Sequence, residues 1–509
     1  MGTQRGGAGK RLPPGIGRAA IMSQSSVRES ARIGINLVAM VASRCLCLAL
    51  SLVQAGIIFR ALGVEGSGQY GFALNYPALF CIFATLGIHR LLIRDIAREP
   101  AIAWAYVWTS AVVMLILSLA TTAVVMLSMA FIEPDPVTRR AVFMSSLSVV
   151  VLYALQRPFE SLLMARERMV WIAGVNLLSG MARLAGTWYA LRLDPSSVSA
   201  HAGIAAGNLA GLAALVAVSI AIGGWERPRF KPALAWKQIV ESNAFTMAAL
   251  LSMIYFKADM ALLKWLDGET AAGIYTAAQR VTEPMLMIAS IWGTAVFPAL
   301  CRLSVNAHEN YTRLMHASAR LALLLAFPMG FGVAALAGPV IGLLTGARTG
   351  GFTESVTVLQ TLCIITPAFY LNGVGQEFLY SNHRNGYVVG AYFAGCIASV
   401  AANLLLIPRY GAMGAAWAAV IANYLISAIF IHGMRQDYRD MRLVTMTIKT
   451  LAACTVMAAV AYALAGHSLV LAIAAGAALY AVLQITFRTL LPEERELAVR
   501  LGRMLLGRD

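Results

Sequence analysis

"IFRALGVEGSGQYGFAL" (residues 58–74) lies between two apolar runs and carries four glycines, Arg60, Glu65 and, near its end, Tyr70. Glycine suits a tight turn and tyrosine suits a membrane–water interface, so the stretch reads as a hairpin joining two apolar helices. A second phrase, "LLKWLDGETAAGIYTAA" (262–278), repeats it: Gly68, Tyr70 and Ala73 recur as Gly273, Tyr275 and Ala278 at identical spacing. Two such hairpins at equivalent places predict an internally repeated membrane protein, built as two related helical bundles around a central site.

Composition sets the class. Hydrophobic residues make up 59% of the 509-residue chain and charged residues 13%, with a mean hydropathy of +0.71. Soluble globular domains do not reach that balance. Apolar blocks of about 20 residues, each sufficient to cross roughly 30 Å of hydrocarbon, recur along almost the whole chain. The short alternating segments of a membrane β-barrel are absent. The predicted fold class is an all-α polytopic membrane protein with about fourteen transmembrane helices: two repeated six-helix bundles plus two C-terminal helices.

Residues 1–32 are basic and lack an apolar core, which predicts a mobile cytoplasmic tail rather than a secretory signal; Met22 offers a second start. The first six spans occupy 33–223. The hydrophilic connection "GGWERPRFKPALAWKQ" (223–238) marks a cytoplasmic linker at 224–239, and six further spans fill 240–433. Two additional helices follow over 444–489, with a cytoplasmic tail at 490–509. Counted on alternate sides of these spans, Lys and Arg number 26 on the side of the N-terminus against 7 on the other. That bias predicts both termini inside. The net charge of +16 is dispersed over these short connections, so it speaks for topology and against nucleic acid. Seven cysteines, mostly within apolar runs, read as small buried hydrophobes.

Four phrases in the same order carry a family resemblance: the opening hairpin, "LLIRDIAREP" (91–100), "YFKADMALLKWLDGETAAGIYTAAQRVTEP" (255–284) and "NLLLIPRYGAMGAAWAAVIANYL" (403–425). From about residue 33 onward the chain resembles the polysaccharide flippases of the multidrug/oligosaccharidyl-lipid/polysaccharide exporter superfamily. The resemblance implies movement of an undecaprenyl-diphosphate-linked oligosaccharide across the cytoplasmic (inner) membrane for polysaccharide biosynthesis. It also implies alternating access, membrane lipids and a polysaccharide polymerase and co-polymerase as partners, and no enzymatic activity.

Ionisable side chains inside the spans are costly unless paired or wet, and they mark candidate sites. In the first helix Asn36, Ser43, Arg44, Cys47, Ser51 and Gln54 share an arc of about 100°, a polar stripe expected to face a water-filled cavity. In the fourth, Arg157 and Glu160 are spaced to pair on one face. In the fifth, Asn176, Gly180, Arg183 and Thr187 share a face, and Arg183 has no acid three or four residues away. Glu241, Phe245, Ala248, Ser252, Tyr255 and Asp259 form a stripe on the seventh helix, with Lys257 about 160° from Asp259 and so expected outside any cavity that Asp259 faces. Arg280 and Glu283 are spaced to pair on the eighth, before a kink at Pro284. Arg44, Arg157, Arg183, Lys257, Arg280 and Arg320 outnumber the membrane-depth acids Glu160, Asp259 and Glu283. Guanidinium groups bind phosphate through two parallel hydrogen bonds. The candidate substrate-binding residues are therefore Arg44, Arg157, Arg183, Arg280, Gln54 and Asn176, with Arg44, Arg183 and Arg280 on a diphosphate or acidic sugar. Asp259 and Glu283 are the candidates for proton or sodium-ion coupling. No further cofactor and no metal site is expected, since no nucleotide-binding loop or H-E-x-x-H occurs.

Three rivals share parts of this pattern. A multidrug-type small-molecule or ion antiporter shares the helix count. A membrane-embedded glycan polymerase or ligase calls for a long outer loop, whereas the outer connections here are about ten residues. A peptidoglycan-precursor flippase calls for a serine- and arginine-rich opening that this sequence lacks. Pro77, Pro158, Pro284, Pro298, Pro328 and Pro367, with glycine-rich positions, are the expected bending points.

Overall fold

A computed structural model of the chain describes residues 16–224, 226–306, 308–346, 351–382, 384–435, 443–487 and 489. The tails at 1–15 and 490–509 lie outside the described residues, as do the side chains of Asn36, Phe245, Ala248, Ser252 and Pro298. Among the described residues the fold is entirely helical. In chain order the helices are α1 (Ile16–Thr85), α2 (Ile88–Arg98), α3 (Ala103–Ile132), α4 (Pro136–Ser146), α5 (Tyr153–Ala165), α6 (Met169–Leu193) and α7 (Ser197–Gly223). They continue with α8 (Pro232–Asn306), α9 (His308–Ala335), α10 (Ala337–Thr345), α11 (Thr353–Cys363), α12 (Ile365–Ser381), α13 (Asn385–Gly433), α14 (Leu443–Leu464) and α15 (Leu469–Thr486). A single π-helical stretch, Leu147–Leu152, joins α4 to α5 into one crossing.

Ten stretches among the described residues are long and apolar enough to cross a bilayer. Two of them, Ala42–Thr85 and Asn385–Gly433, bend at Gly63 and Gly411, and α8 bends at Gly268. Each bend leaves two arms of spanning length, which brings the crossing segments to the fourteen that the sequence predicts. At all three bends φ is positive, at 67°, 88° and 54° in chain order. Glycine adopts that backbone without a Cβ penalty. The sharp bends fall at these glycines, while Pro77, Pro158 and Pro328 sit inside continuous helices. Proline is tolerated in membrane helices because neighbouring groups re-satisfy the freed carbonyl.

Caps fix several helix starts. Asp135 precedes Pro136 and accepts hydrogen bonds from the backbone N–H groups of Val137 (3.1 Å) and Thr138 (2.8 Å). Partial desolvation works to raise its pKa, but the Thr138 hydroxyl and these N–H groups hold the carboxyl below its usual value. Ser196 and Ser468 cap α7 and α15 in the same manner.

Packing divides into three main cores. Ile88, Leu92, Trp104, Phe159 and Leu162 fill one among α2, α3, α5 and α7. Tyr311, Tyr370, Phe378 and Phe430 fill another among α9, α12 and α13. The third joins the two halves through Ile58, Phe59, Tyr70, Ala272, Tyr275, Ile341 and Leu359. The repeated phrase finds its reason in that third core. A Cβ on Gly68 would stand 1.9 Å from the Glu269 carbonyl oxygen, and one on Gly273 would stand 2.0 Å from the Val64 carbonyl oxygen. The two copies cross backbone against backbone, each resting its glycine on the other's preceding turn. Small residues permit that approach between membrane helices. The bends obey the same repeat, since Gly63 stands to Gly68 as Gly268 stands to Gly273.

The last two helices lean on α9. Arg320 Nη2 donates to the Thr489 carbonyl (2.9 Å), Lys449 Nζ to that of Phe487 (3.1 Å), and the Tyr480 hydroxyl to that of Leu324 (2.7 Å). Arg320, expected among the cavity cations, is 5% exposed and serves this C-terminal anchor instead. Cations at a helix C-terminus satisfy carbonyls that have no intrahelical donor.

Candidate substrate cavity

In the first half the site grows from the seam between α1 and α6. Ser43 Oγ donates to the Ala173 carbonyl (2.8 Å), Cys47 Sγ to that of Asn176 (3.5 Å), and Gln54 Nε2 to Thr187 Oγ1 (2.7 Å). Much of the polar stripe expected to face water is thus spent on helix pairing. Gln54 is buried, with its amide nitrogen engaged. Arg44 emerges from the seam exposed, as does Asn176. On the other side of α6, Gly207 of α7 lies so close that a Cβ there would stand 2.4 Å from the Arg183 backbone nitrogen. That packing fixes where Arg183 projects, and its Nε is buried without a hydrogen-bond partner. Neither Arg44 nor Arg183 meets an acid among the described residues. Arg157 behaves as its spacing predicts: Nη1 lies 2.8 Å from Glu160 Oε2, and the guanidinium covers the Tyr153 ring at 4.0 Å.

The second half is neutralised. Arg280 Nη1 donates to Glu283 Oε2 (3.0 Å), and Lys257 Nζ lies 3.6 Å from Glu283 Oε1 while donating to Asn75 Oδ1 (2.8 Å). Asp259 is 8% exposed and accepts from the Tyr275 hydroxyl (2.5 Å) and the Met260 N–H (2.8 Å). A cavity of about 400 Å³ opens here. Both Lys257 and Asp259 border it, contrary to the expectation from their 160° separation. Asp259 turns onto Tyr275 across the Gly268 bend, while the four-carbon stem of Lys257 carries its charge around the helix toward Asn75. Tyr275, read from sequence as interfacial, is buried.

The halves meet through Tyr70, whose ring stacks on His201 at 4.8 Å while the Arg280 guanidinium lies 5.7 Å from its centroid. Polar contacts also join the halves toward both ends of the first arm of α8. Near its start, Arg94 of α2 lies 2.7 Å from both Asp95 and Glu241, beside a hollow of about 530 Å³. Hydrogen bonds to Asp95, then to Glu241, hold the Arg94 guanidinium above its usual pKa. Near its end, Lys264, only 8% exposed in its side chain, lies 2.7 Å from Glu133 and 3.2 Å from Glu269. Gln69 Nε2 donates to Glu269 Oε2 (2.8 Å). From Glu241 to Lys264 the arm rises about 35 Å, the depth of a bilayer. In the sequence Lys264 is one of the seven cations counted on the side away from the N-terminus, and helical spacing singles out none of Glu133, Glu269, Asn75 and His201. Each acts through a partner on another helix, which periodicity does not reveal. Among the described residues no group of three or more His, Cys, Asp or Glu is placed to hold a metal ion.

A repeated helical membrane protein whose halves meet around charged cavities has the architecture of a transporter. Its fold is shared by the lipid II flippase MurJ in an inward closed conformation (15% identity, 89% of this chain and 99% of that one, TM-score 0.70). It is shared too by an inward-facing multidrug resistance MATE family transporter of the MOP superfamily (14% identity, 79% and 98%, TM-score 0.61). The MATE multidrug transporter DinF-BH in complex with R6G also matches (13% identity, 80% and 96%, TM-score 0.58). None of the curated protein sequences matches. The family is settled by sequence: residues 34–304 match the model of the polysaccharide biosynthesis protein family, and the chain belongs to that family.

Proposed function

We propose that the protein is a flippase that carries an undecaprenyl-diphosphate-linked oligosaccharide across the inner membrane by alternating access, with both termini cytoplasmic. Its membership of the polysaccharide biosynthesis family supports this reading, as does a fold shared with a lipid flippase. The observation that carries it is the uncompensated charge of the first half. Glu160 there is taken by Arg157, while Arg44 and Arg183 face no acid among the described residues. An unpaired guanidinium at membrane depth is costly, and a diphosphate supplies the missing charge with matching geometry. The same charge disfavours the cationic cargo that a multidrug-type antiporter could carry. Arg280, already paired, contributes more weakly.

The double substitution Arg44→Gln, Arg183→Gln is expected to reduce surface polysaccharide at least tenfold with the protein still in the membrane. Normal export from it refutes the reading. For coupling, Asp259 is the better candidate, because Glu283 is committed to two cations. Asp259→Asn is expected to abolish the acceleration of lipid-linked sugar movement by an imposed proton or sodium gradient in proteoliposomes, read against the gradient-free exchange of the same variant. Acceleration equal to the wild type removes Asp259 from that role.

A further inference from the structure

The two halves present opposite chemistries to whatever lies between them. Among the described residues Arg44 and Arg183 meet no acid on the first-half side, whereas in the second half Lys257, Asp259 and Glu283 border the 400 Å³ cavity and Arg280, outside its lining, pairs with Glu283. An anion gains little there. The walls of that cavity are aromatic: Phe256, 37% exposed, meets the ring of Phe369 edge-on at 5.9 Å and that of Tyr255 at 4.8 Å. Between the rings stand groups with hydrogen-bonding capacity to spare. The Tyr255 hydroxyl and the Asn423 side-chain oxygen are buried in the cavity wall, and neither meets the geometry of a hydrogen bond among the described residues. The Gln279 amide and the Asp259 carboxylate complete the lining. Aromatic faces pack against the C–H faces of a pyranose ring, and planar amides and carboxylates hold its hydroxyl pairs. A buried polar atom left unpaired is costly until a ligand satisfies it. The volume falls within the roughly 300–1,000 Å³ of small-molecule sites.

We infer that this second-half cavity is a neutral saccharide subsite that receives the first sugars of the cargo, while the diphosphate stays on the arginines of the first half. The inference rests on the flippase reading and adds a division of labour to it. Lys257, bonded to Asn75, and Arg280, over Tyr70, stand at the boundary between the two subsites. The arrangement lays the cargo across the interface of the halves, so that their relative movement is felt by the ligand as a whole.

The test places a photoreactive benzoylphenylalanine at Phe256 in one variant and at Asn176 in another, both expressed in cells making their own lipid-linked saccharide, which serves as the probe. After irradiation and purification, mild acid splits the sugar–phosphate bond, and the adduct mass is read. At Phe256 a saccharide mass without polyprenyl phosphate is expected, and adding Gln279→Ala should lower its yield at least fivefold. At Asn176 a phosphate-bearing polyprenyl mass is expected. A polyprenyl mass at Phe256, no adduct there, or a yield indifferent to Gln279→Ala overturns the saccharide subsite. A polyprenyl adduct at Asn176 leaves the flippase reading standing in each of those cases. Absence of adducts at both positions refutes the flippase reading itself.

Discussion

Asp259 depends on a hydroxyl sixteen positions ahead, on the far side of a helix bend. Tyr275→Phe keeps the ring in its buried place and removes the donor, leaving Oδ2 of a carboxylate that is 8% exposed without it. The expected cost is about 1–3 kcal/mol, seen as a lower melting temperature of the purified protein. With Asp259→Asn already in place, the same change should cost much less, because the two side chains act as one unit. Equal costs in both backgrounds exclude the coupling. At this scale the sequence was legible where partners share a helix: three-residue spacing foretold Arg157 with Glu160 and Arg280 with Glu283. It was mute on His201 and Asn75, whose partners arrive from other helices, and on Tyr275, whose partner lies across the Gly268 bend of its own helix. Gln54 shows the converse, a polar residue whose face was foreseen but whose amide is consumed by Thr187.

Helices α1 and α8 cross where neither can carry a side chain. Gly68→Ala forces a methyl to within 1.9 Å of a backbone carbonyl that no rotamer change can move aside. Overpacking of this kind costs about 1–3 kcal/mol, and the variant is expected to melt correspondingly earlier. Gly174→Ala is the fitting control, since nothing lies within 4 Å of a Cβ on that residue of α6. It should match or slightly exceed the wild type, as alanine is the better helix former. Equal melting of the two variants dissolves the argument for backbone contact. Hydropathy alone foretold the fourteen crossings, because length and apolarity suffice for that. The bends were assigned in part to prolines, yet fell at Gly63, Gly268 and Gly411. Proline marks a missing hydrogen-bond donor, whereas a sharp bend needs positive φ, and only the repeat of Gly63 at Gly268 announced it.

Taken whole, the halves are joined by a shared apolar core and by polar contacts, and Lys264 is the most deeply set cation in the ion pairs described between them. Replacing it with Gln leaves Glu133 and Glu269 facing each other without a cation. Breaking a buried pair from one side costs about 3–5 kcal/mol, here borne by the contact between the halves at that end. A cysteine in place of Ser197, which is 2% exposed, should then react severalfold faster with a membrane-impermeant maleimide. Lys264→Arg should keep it protected, and unchanged labelling of Lys264→Gln removes Lys264 as a latch. The anchoring of α15 by Arg320 and Lys449 matters at this scale too. Arg320 belongs to α9 and Lys449 to α14, which packs on α9, so among the described residues the terminal pair of helices is bolted to the second half of the machine. A fluorophore on α15 paired with one on α3 therefore works as a caliper for the travel of one half against its twin.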